Sequence, residues 1–255
     1  MKKITLVLML SFCASLVTYA QTVDEIIDTY FENIGGLETL KKVEGVKMTA
    51  KVVQQGMEIP LEIIQTKDGK QITIIKFQGK EIKQGVFDGE VLWSTNFMTM
   101  KAEKSNAEAT ANMKLETNDF LDVFIDYKEK GYAAELLGKE TIDGAETFKI
   151  KLTKEPVTID GKKEVSISFY FFDTENFVPI AVQSEIKSGQ AKGMISQVTM
   201  SDYQEVEGIY FPFALTQGLK DKPGSPLTIT SIELNPEVSD SLFKFPEEIL
   251  EEGKN

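Results

Sequence analysis

Residues 46–75 read VKMTAKVVQQGMEIPLEIIQTKDGKQITII, and three runs inside this stretch share a period of two: Val46, Met48, Ala50 and Val52, then Ile59, Leu61 and Ile63, then Ile72 and Ile74. Successive side chains of an extended chain point to opposite faces, so each run is a strand with one apolar face. The breaks at Gln55-Gly56, Lys67-Asp68-Gly69-Lys70, Gln78-Gly79-Lys80 and Asp88-Gly89 are hairpin-like. Turns this short join antiparallel neighbours, so the first half of the chain is a meander that ends at Val91-Leu92-Trp93. The same period resumes after Gly131, through Phe148, Ile150 and Leu152 and then Val165, Ile167, Phe169 and Phe171. Turn signals recur at Asp143-Gly144, Asp160-Gly161, Asp173 to Asn176, Ser188-Gly189 and Glu207-Gly208. The count comes to about ten or eleven strands, more than a flat sheet carries without curling or splitting.

Helical periodicity occurs in two places. Val23, Ile26, Ile27, Tyr30, Phe31 and Ile34 form one apolar face, Thr22 and Glu25 make a capping-box pair, and Gly35-Gly36 stops the helix. Leu37, Leu40 and Val43 suggest a further short helical turn before the sheet. Between the two meanders, Phe97 to Met113 is rich in Ala, Met, Lys and Glu without clear period and reads as a mobile insert with some helix. A helix is expected over Asn118 to Lys130, capped by Thr117 and stopped at Gly131, with Phe120, Leu121, Phe124 and Ile125 as its apolar stripe.

At the N-terminus, Lys2 and Lys3 precede an apolar run from Ile4 to Val17 and a small-residue site closing at Ala20. This pattern predicts a signal peptide over 1–20, cut after Ala20, and a single domain over 21–255 exported to the periplasm. The run is too short to span a membrane, and no second run of spanning length follows. Phe12 is bulkier than the small residue that normally precedes a lipid-attachment cysteine, which disfavours an anchor on Cys13, the only cysteine; on the signal-peptide reading Cys13 leaves with the signal.

All 28 basic residues are lysine; losing Lys2 and Lys3 leaves 26 against 40 acids, a balance of −14. An acidic chain without arginine has no basic stripe for phosphates and no guanidinium fork for guanine edges, which argues against nucleic acid as a partner.

The absence of histidine removes the commonest general base, and with no mature cysteine it also removes the usual nucleophile pairs and zinc sites. Ser184 and Lys187 match a Ser-x-x-Lys spacing, but on a strand three residues apart means opposite faces. Ser241 and Lys244 match it too, in a short terminal turn where Ser241 reads as a cap. Asp173 to Asn176 lacks the ligand spacing of a calcium loop and reads as a hairpin turn. No phosphate-cradling or dinucleotide loop is present, so neither an enzyme nor a cofactor is expected.

A sheet of this size has a long apolar face and few helices to cover it. A curved sheet with the helices as a lid would leave a cavity; a fully packed two-layer core is the other arrangement the composition allows. The candidate lining is Ile27 and Phe31 of the first helix, Met48 of the first strand, Trp93, Phe97, Met98 and Met100 at the insert, Phe120, Leu121, Phe124 and Ile125 of the inserted helix, and Phe169 and Phe171. Flexible thioethers in the insert suit an adaptable apolar surface. Trp93 and Phe97 would either contact the ligand or anchor the lid.

Two segments resemble the lipoprotein-carrier superfamily: Ser201-Asp202-Tyr203-Gln204-Glu205-Val206-Glu207-Gly208-Ile209-Tyr210-Phe211-Pro212, and Asn235-Pro236-Glu237-Val238-Ser239-Asp240-Ser241-Leu242-Phe243-Lys244-Phe245-Pro246. The opening from Val23 to Val46 is similar to the Bacteroidetes members, and the order of elements matches over nearly the whole mature chain. This superfamily comprises the LolA carriers, their receptor LolB and outer-membrane lipoprotein-sorting-like proteins. The resemblance implies a mostly β fold, an incomplete, half-open antiparallel barrel with a helical lid over an apolar cavity. It implies a periplasmic carrier that binds lipid or lipoprotein acyl chains, with envelope transport proteins as partners. The alternative is a non-enzymatic envelope interaction module with the same fold and a filled core. LolA-type carriers latch the lid with an arginine, which this chain lacks.

Overall fold

The computed structural model describes residues 21–54 and 56–246. The expected signal segment with its cut site and Cys13, and Gln55 of the first turn, lie outside the described residues.

The chain opens with α1 (Val23–Asn33), where the Thr22 hydroxyl accepts from the Glu25 amide and the Glu25 carboxylate accepts from the Thr22 amide. These bonds satisfy two of the donors that a helix start leaves open. After α2 (Leu37–Leu40), six strands follow as a meander: β1 (Gly45–Gln54), β2 (Met57–Thr66), β3 (Gln71–Phe77), β4 (Lys80–Phe87), β5 (Leu92–Thr95) and β6 (Ala102–Lys104). Helix α3 (Ala107–Glu116) begins the insert. The second meander is β7 (Ala133–Ile142), β8 (Ala145–Ile159), β9 (Lys162–Asp173), β10 (Pro179–Glu185), β11 (Ile195–Val206), β12 (Ile209–Leu219) and β13 (Ser225–Leu234).

All thirteen strands join one antiparallel sheet in the order β6-β5-β4-β3-β2-β1-β13-β12-β11-β10-β9-β8-β7. The sheet is open, with β6 and β7 as its edges, in agreement with the half-open architecture expected; thirteen strands replace the ten or eleven counted. One of the additional strands is β6, inside the stretch that reads as loose. Both central residues have positive φ in the turns Gln78-Gly79, Asp143-Gly144, Asp160-Gly161 and Glu207-Gly208. This turn geometry matches the right-handed twist of the flanking strands. Register shifts interrupt the β1/β13, β3/β4, β7/β8, β8/β9 and β9/β10 pairings, the kind of irregularity that lets so long a sheet bend.

Among the described residues, every pair of consecutive strands lies side by side in the sheet except β6 and β7. Strands β6 and β7 follow one another in sequence yet lie at opposite edges, so residues 105–132 must cross from one to the other. They cross the face that packs on α1: Phe124, Tyr127 and Tyr132 share a core with Ile26, Ile27, Tyr30 and Phe31, and with Val46, Ile150, Phe172 and Ile229 of the sheet. Helix α3 ties the crossing down, because Asn112 exchanges hydrogen bonds of 2.7 and 2.9 Å with the backbone of Thr158. Topology thus makes the insert a cover over the concave face.

The helix expected over Asn118 to Lys130 does not form. A 3-10 turn over Thr117–Asp119 is followed by non-helical turns, with φ of 65° at Leu121 and 51° at Asp126. Positive φ interrupts a right-handed helix, and the Asp122 carboxylate caps the Phe124 amide at 2.8 Å, the local bond by which Asp competes with helix. The stretch from Phe97 to Met113, expected to be loose, holds the end of the β5–β6 hairpin and most of α3.

A second core sits on the opposite face of the sheet. Ile64, Ile72, Ile74, Val86 and Trp93 are covered there by Phe243, with Val238, Leu242 and Phe245 packed alongside. The Trp93 indole donates to the Phe243 carbonyl at 2.9 Å, so the C-terminal segment closes this face.

Candidate ligand cavity

Between the sheet and its cover lies a cavity of about 320 Å³, at the small end of the roughly 300–1,000 Å³ typical of ligand pockets. Met48 of β1, Val182 of β10, Met200 of β11, Leu215 of β12 and Ile229 and Ile232 of β13 give it an apolar floor. The other wall carries the polar groups: Tyr30 of α1, Asp119 and Asp122 of the crossing segment, Tyr170 of β9 and Tyr203 of β11. A second, more open cavity of about 600 Å³ adjoins it, lined by Lys41, Lys67, Phe87, Lys114, Phe120, Ile125 and Asp126 among others. Leu40 and Leu121 border both cavities.

The polar wall ties the cover to α1. The Tyr30 hydroxyl donates to Asp122 at 2.6 Å, and the Tyr127 hydroxyl donates to Asp24 at 2.5 Å. Lys128 also reaches Asp24 at 2.8 Å, and Lys41 reaches Asp126 at 2.6 Å. Tyrosine and lysine bonds to carboxylates therefore hold the crossing segment without arginine. Burial raises the Asp122 carboxyl above the ordinary carboxylate range, against the opposing pull of the Tyr30 bond and the Phe124 amide. Burial is also the main cause that lifts Tyr30, Tyr170 and Tyr203 above the usual phenol range, so all three stay neutral at physiological pH. Asp119 takes Lys130 at 3.3 Å and Lys154 at 2.5 Å.

Of the residues expected to line a site, Met48 and Leu121 border the inner cavity, and Phe120, Leu121 and Ile125 the outer one. Ile27, Phe31 and Phe124 pack in the main core instead. Trp93 belongs to the core on the opposite face. Phe97 and Met98 are 62% and 88% exposed at the tip of the β5–β6 hairpin, and Met100, half-buried, takes a positive φ in the same turn. Phe169 and Phe171 alternate with the inward Tyr170 and Phe172, and both lie under the Lys149 ammonium on the other face, at 5.1 and 5.4 Å. The run Ser168-Phe169-Tyr170-Phe171-Phe172 is apolar on both faces, so its period cannot say which face turns inward.

Sequence reasoning missed Asp122, Tyr170, Met200, Tyr203, Ile229 and Ile232 as lining residues. Tyr30 was in view as part of the α1 stripe, and Tyr203 within the segment that carries the family resemblance. Among the described residues no group of His, Cys, Asp and Glu is arranged to hold a metal ion, and no helix is long and apolar enough to cross a membrane. Ser184 lies on β10, and Asp173 accepts bonds from the Glu175 and Asn176 amides as a hairpin turn does.

Solved structures with the same architecture include a LolA superfamily protein from Nitrosomonas europaea, 15% identical, with a TM-score of 0.51 over 88% of this chain and 98% of that one. A domain from Vibrio parahaemolyticus named for outer membrane lipoprotein sorting is 11% identical, with a TM-score of 0.50 over 86% and 94% of the two chains. A DUF1329 family protein from Desulfovibrio piger is 13% identical, with a TM-score of 0.53 over 88% and 98%. The chain therefore has the LolA-like fold, an open antiparallel sheet with helices in its concave face. A family model described as "-like: Uncharacterized protein" matches residues 119–247, just over half of the chain, and the chain belongs to that family. No curated protein matches it by sequence.

Proposed function

We propose that the protein is an exported, non-enzymatic carrier that holds acyl chains of lipids or lipoproteins in the cavity of its concave face. The observation that carries this reading is an apolar cavity floor built by five strands of one sheet under a cover held by packing of Phe124 and by the Tyr30–Asp122 and Tyr127–Asp24 bonds. Burying an acyl chain on such a floor contributes about 0.8 kcal/mol per methylene. The LolA-like fold and the sorting-named relative support the same reading. On this reading the mature chain is one periplasmic domain that starts at Gln21 and works with envelope transport proteins. Intact mass of the periplasmic species tests the start; a diacylated species beginning at Cys13 would favour an anchored receptor.

Close packing of Phe124, Phe172, Ile27 and Phe31 over part of the concave face favours the second reading, an envelope interaction module with a filled core. The uncharged probe N-phenyl-1-naphthylamine separates the two. The carrier reading expects the wild type to bind it and Met200→Trp, which fills the floor, to lose binding while still unfolding cooperatively in urea. A wild type that binds no probe and carries no lipid on extraction and mass spectrometry supports the filled-core module.

A further inference from the structure

We propose that the inner cavity selects amphiphiles whose polar end is an uncharged hydroxyl group over those that end in a carboxylate. This inference rests on the reading of the cavity as a ligand site and names the class of ligand it prefers.

The polar wall offers an unusual set of open valences. Asp122 accepts the Tyr30 hydroxyl on Oδ2 at 2.6 Å and the Phe124 amide on Oδ1 at 2.8 Å. Each carboxylate oxygen has two lone-pair sites, so each keeps one acceptor position. Tyr170 lines the same cavity, and its hydroxyl has no hydrogen-bond partner among the described residues. A phenol both donates and accepts. The complement of a carboxylate acceptor and a two-way hydroxyl is a group that donates to one and accepts from the other, which a ligand hydroxyl does and a carboxylate does not.

Charge points the same way. Asp119 and Asp122 both border the cavity. The lysines that approach this wall, Lys130 and Lys154, both pair with Asp119, and Lys130 also donates to the Val123 carbonyl at 3.3 Å. Among the described residues no cation lines the inner cavity to receive an anion, while an anionic ligand beside Asp122 would meet a like charge after losing its own hydration. The neutral phenols of buried Tyr30 and half-buried Tyr170 and Tyr203 add hydrogen-bonding capacity without charge. The four lysines near the outer cavity stand behind Leu40 and Leu121 and do not border the inner one, apart from this Lys130 contact at its edge.

The test uses the delipidated mature chain at pH 7.5 and measures displacement of N-phenyl-1-naphthylamine by three amphiphiles of equal chain length: 1-monododecanoylglycerol, dodecanoate and dodecylammonium. The monoglyceride should bind about tenfold more tightly than dodecanoate, the scale of a lost hydrogen bond combined with a buried like charge. Tyr170→Phe should cut monoglyceride affinity about fivefold and leave dodecanoate nearly unchanged, since only the former uses the hydroxyl. Asp122→Asn should narrow the ratio by improving dodecanoate; thermal unfolding of each variant checks that the fold persists. Dodecanoate within twofold of the monoglyceride, equal loss of both ligands in Tyr170→Phe, or tightest binding of dodecylammonium would each overturn the inference. Failure of the wild type to bind the probe at all would instead sink the carrier reading.

Discussion

Replacing Phe124 with alanine separates a packed lid from a loose one. Phe124 is 2% exposed and sits in the crossing segment, where no helix holds it. Its ring meets Tyr170 at 4.9 Å, Phe172 at 5.6 Å and Tyr127 at 6.1 Å, all edge-on. Truncating a buried phenylalanine costs about 3–5 kcal/mol through lost transfer energy and the cavity left behind. The edge-on pairs, each worth about 0.5–1.5 kcal/mol beyond area, place Phe124→Ala in the upper part of that range. Urea unfolding followed by circular dichroism should show a large fall in midpoint with little change in slope, because the surface exposed on unfolding is almost the same. Phe97→Ala is the control: a side chain 62% exposed at a hairpin tip should change stability by no more than about 0.5 kcal/mol. A loss below about 1 kcal/mol for Phe124→Ala would mean that the crossing segment is not anchored by this ring, and the account of the cover would fail.

Gly35 has φ of +119°, and a Cβ there would lie 2.2 Å from the Gly208 carbonyl oxygen; Gly35→Ala should cost about 2 kcal/mol or more and lower Tm by several degrees, whereas Gly79→Ala, with open space around it, should cost about 1 kcal/mol. Equal losses would contradict the close approach. Trp93, the only tryptophan and 3% exposed, should emit at short wavelength; a chain ending at Asn235 should shift that emission to the red, and an unshifted spectrum would show that the C-terminal segment does not cover it. The Asp122 carboxyl is raised by burial, so its contribution is full below the ordinary carboxylate pKa and is lost as pH rises through the folded value. The stability of Asp122→Asn relative to wild type should therefore improve between pH 4 and pH 7, and a flat difference would refute the assignment. Asp24 is lowered by its bonds to Lys128 and Tyr127, which reverses the sign. Its contribution is present above the ordinary carboxylate pKa and is lost as pH falls through the folded value, so Asp24→Asn should destabilise at pH 7 and converge on wild type in acid.

Local pattern alone determined much of this protein. The alternation in residues 46–75 specifies strands because the pleat has a period of two, whatever lies across from it. Asp143-Gly144 and Asp160-Gly161 specify hairpins because their backbone accepts positive φ at both central positions. The capping box at Thr22 and Glu25 specifies the start of α1 from neighbours three residues apart. Lack of histidine and arginine, and of any cysteine besides Cys13, bounds the chemistry whatever the fold.

Tertiary structure decided which apolar residues meet. The stripe Phe120, Leu121, Phe124 and Ile125 has helical spacing, yet Asp122 finds better use bonded to Tyr30, 92 positions away, than exposed on a helix, and the segment folds as turns. In Phe169 to Phe172 both faces are apolar, and only docking of α1 and Phe124 on Tyr170 and Phe172 selects the inward pair. Trp93 is buried on the outer face because a segment 150 positions further on returns to cover it. The cavity is decided the same way: its floor and its polar wall come from strands and turns distant in sequence, and periodicity, being a property of neighbours along the chain, carries no record of what is brought opposite.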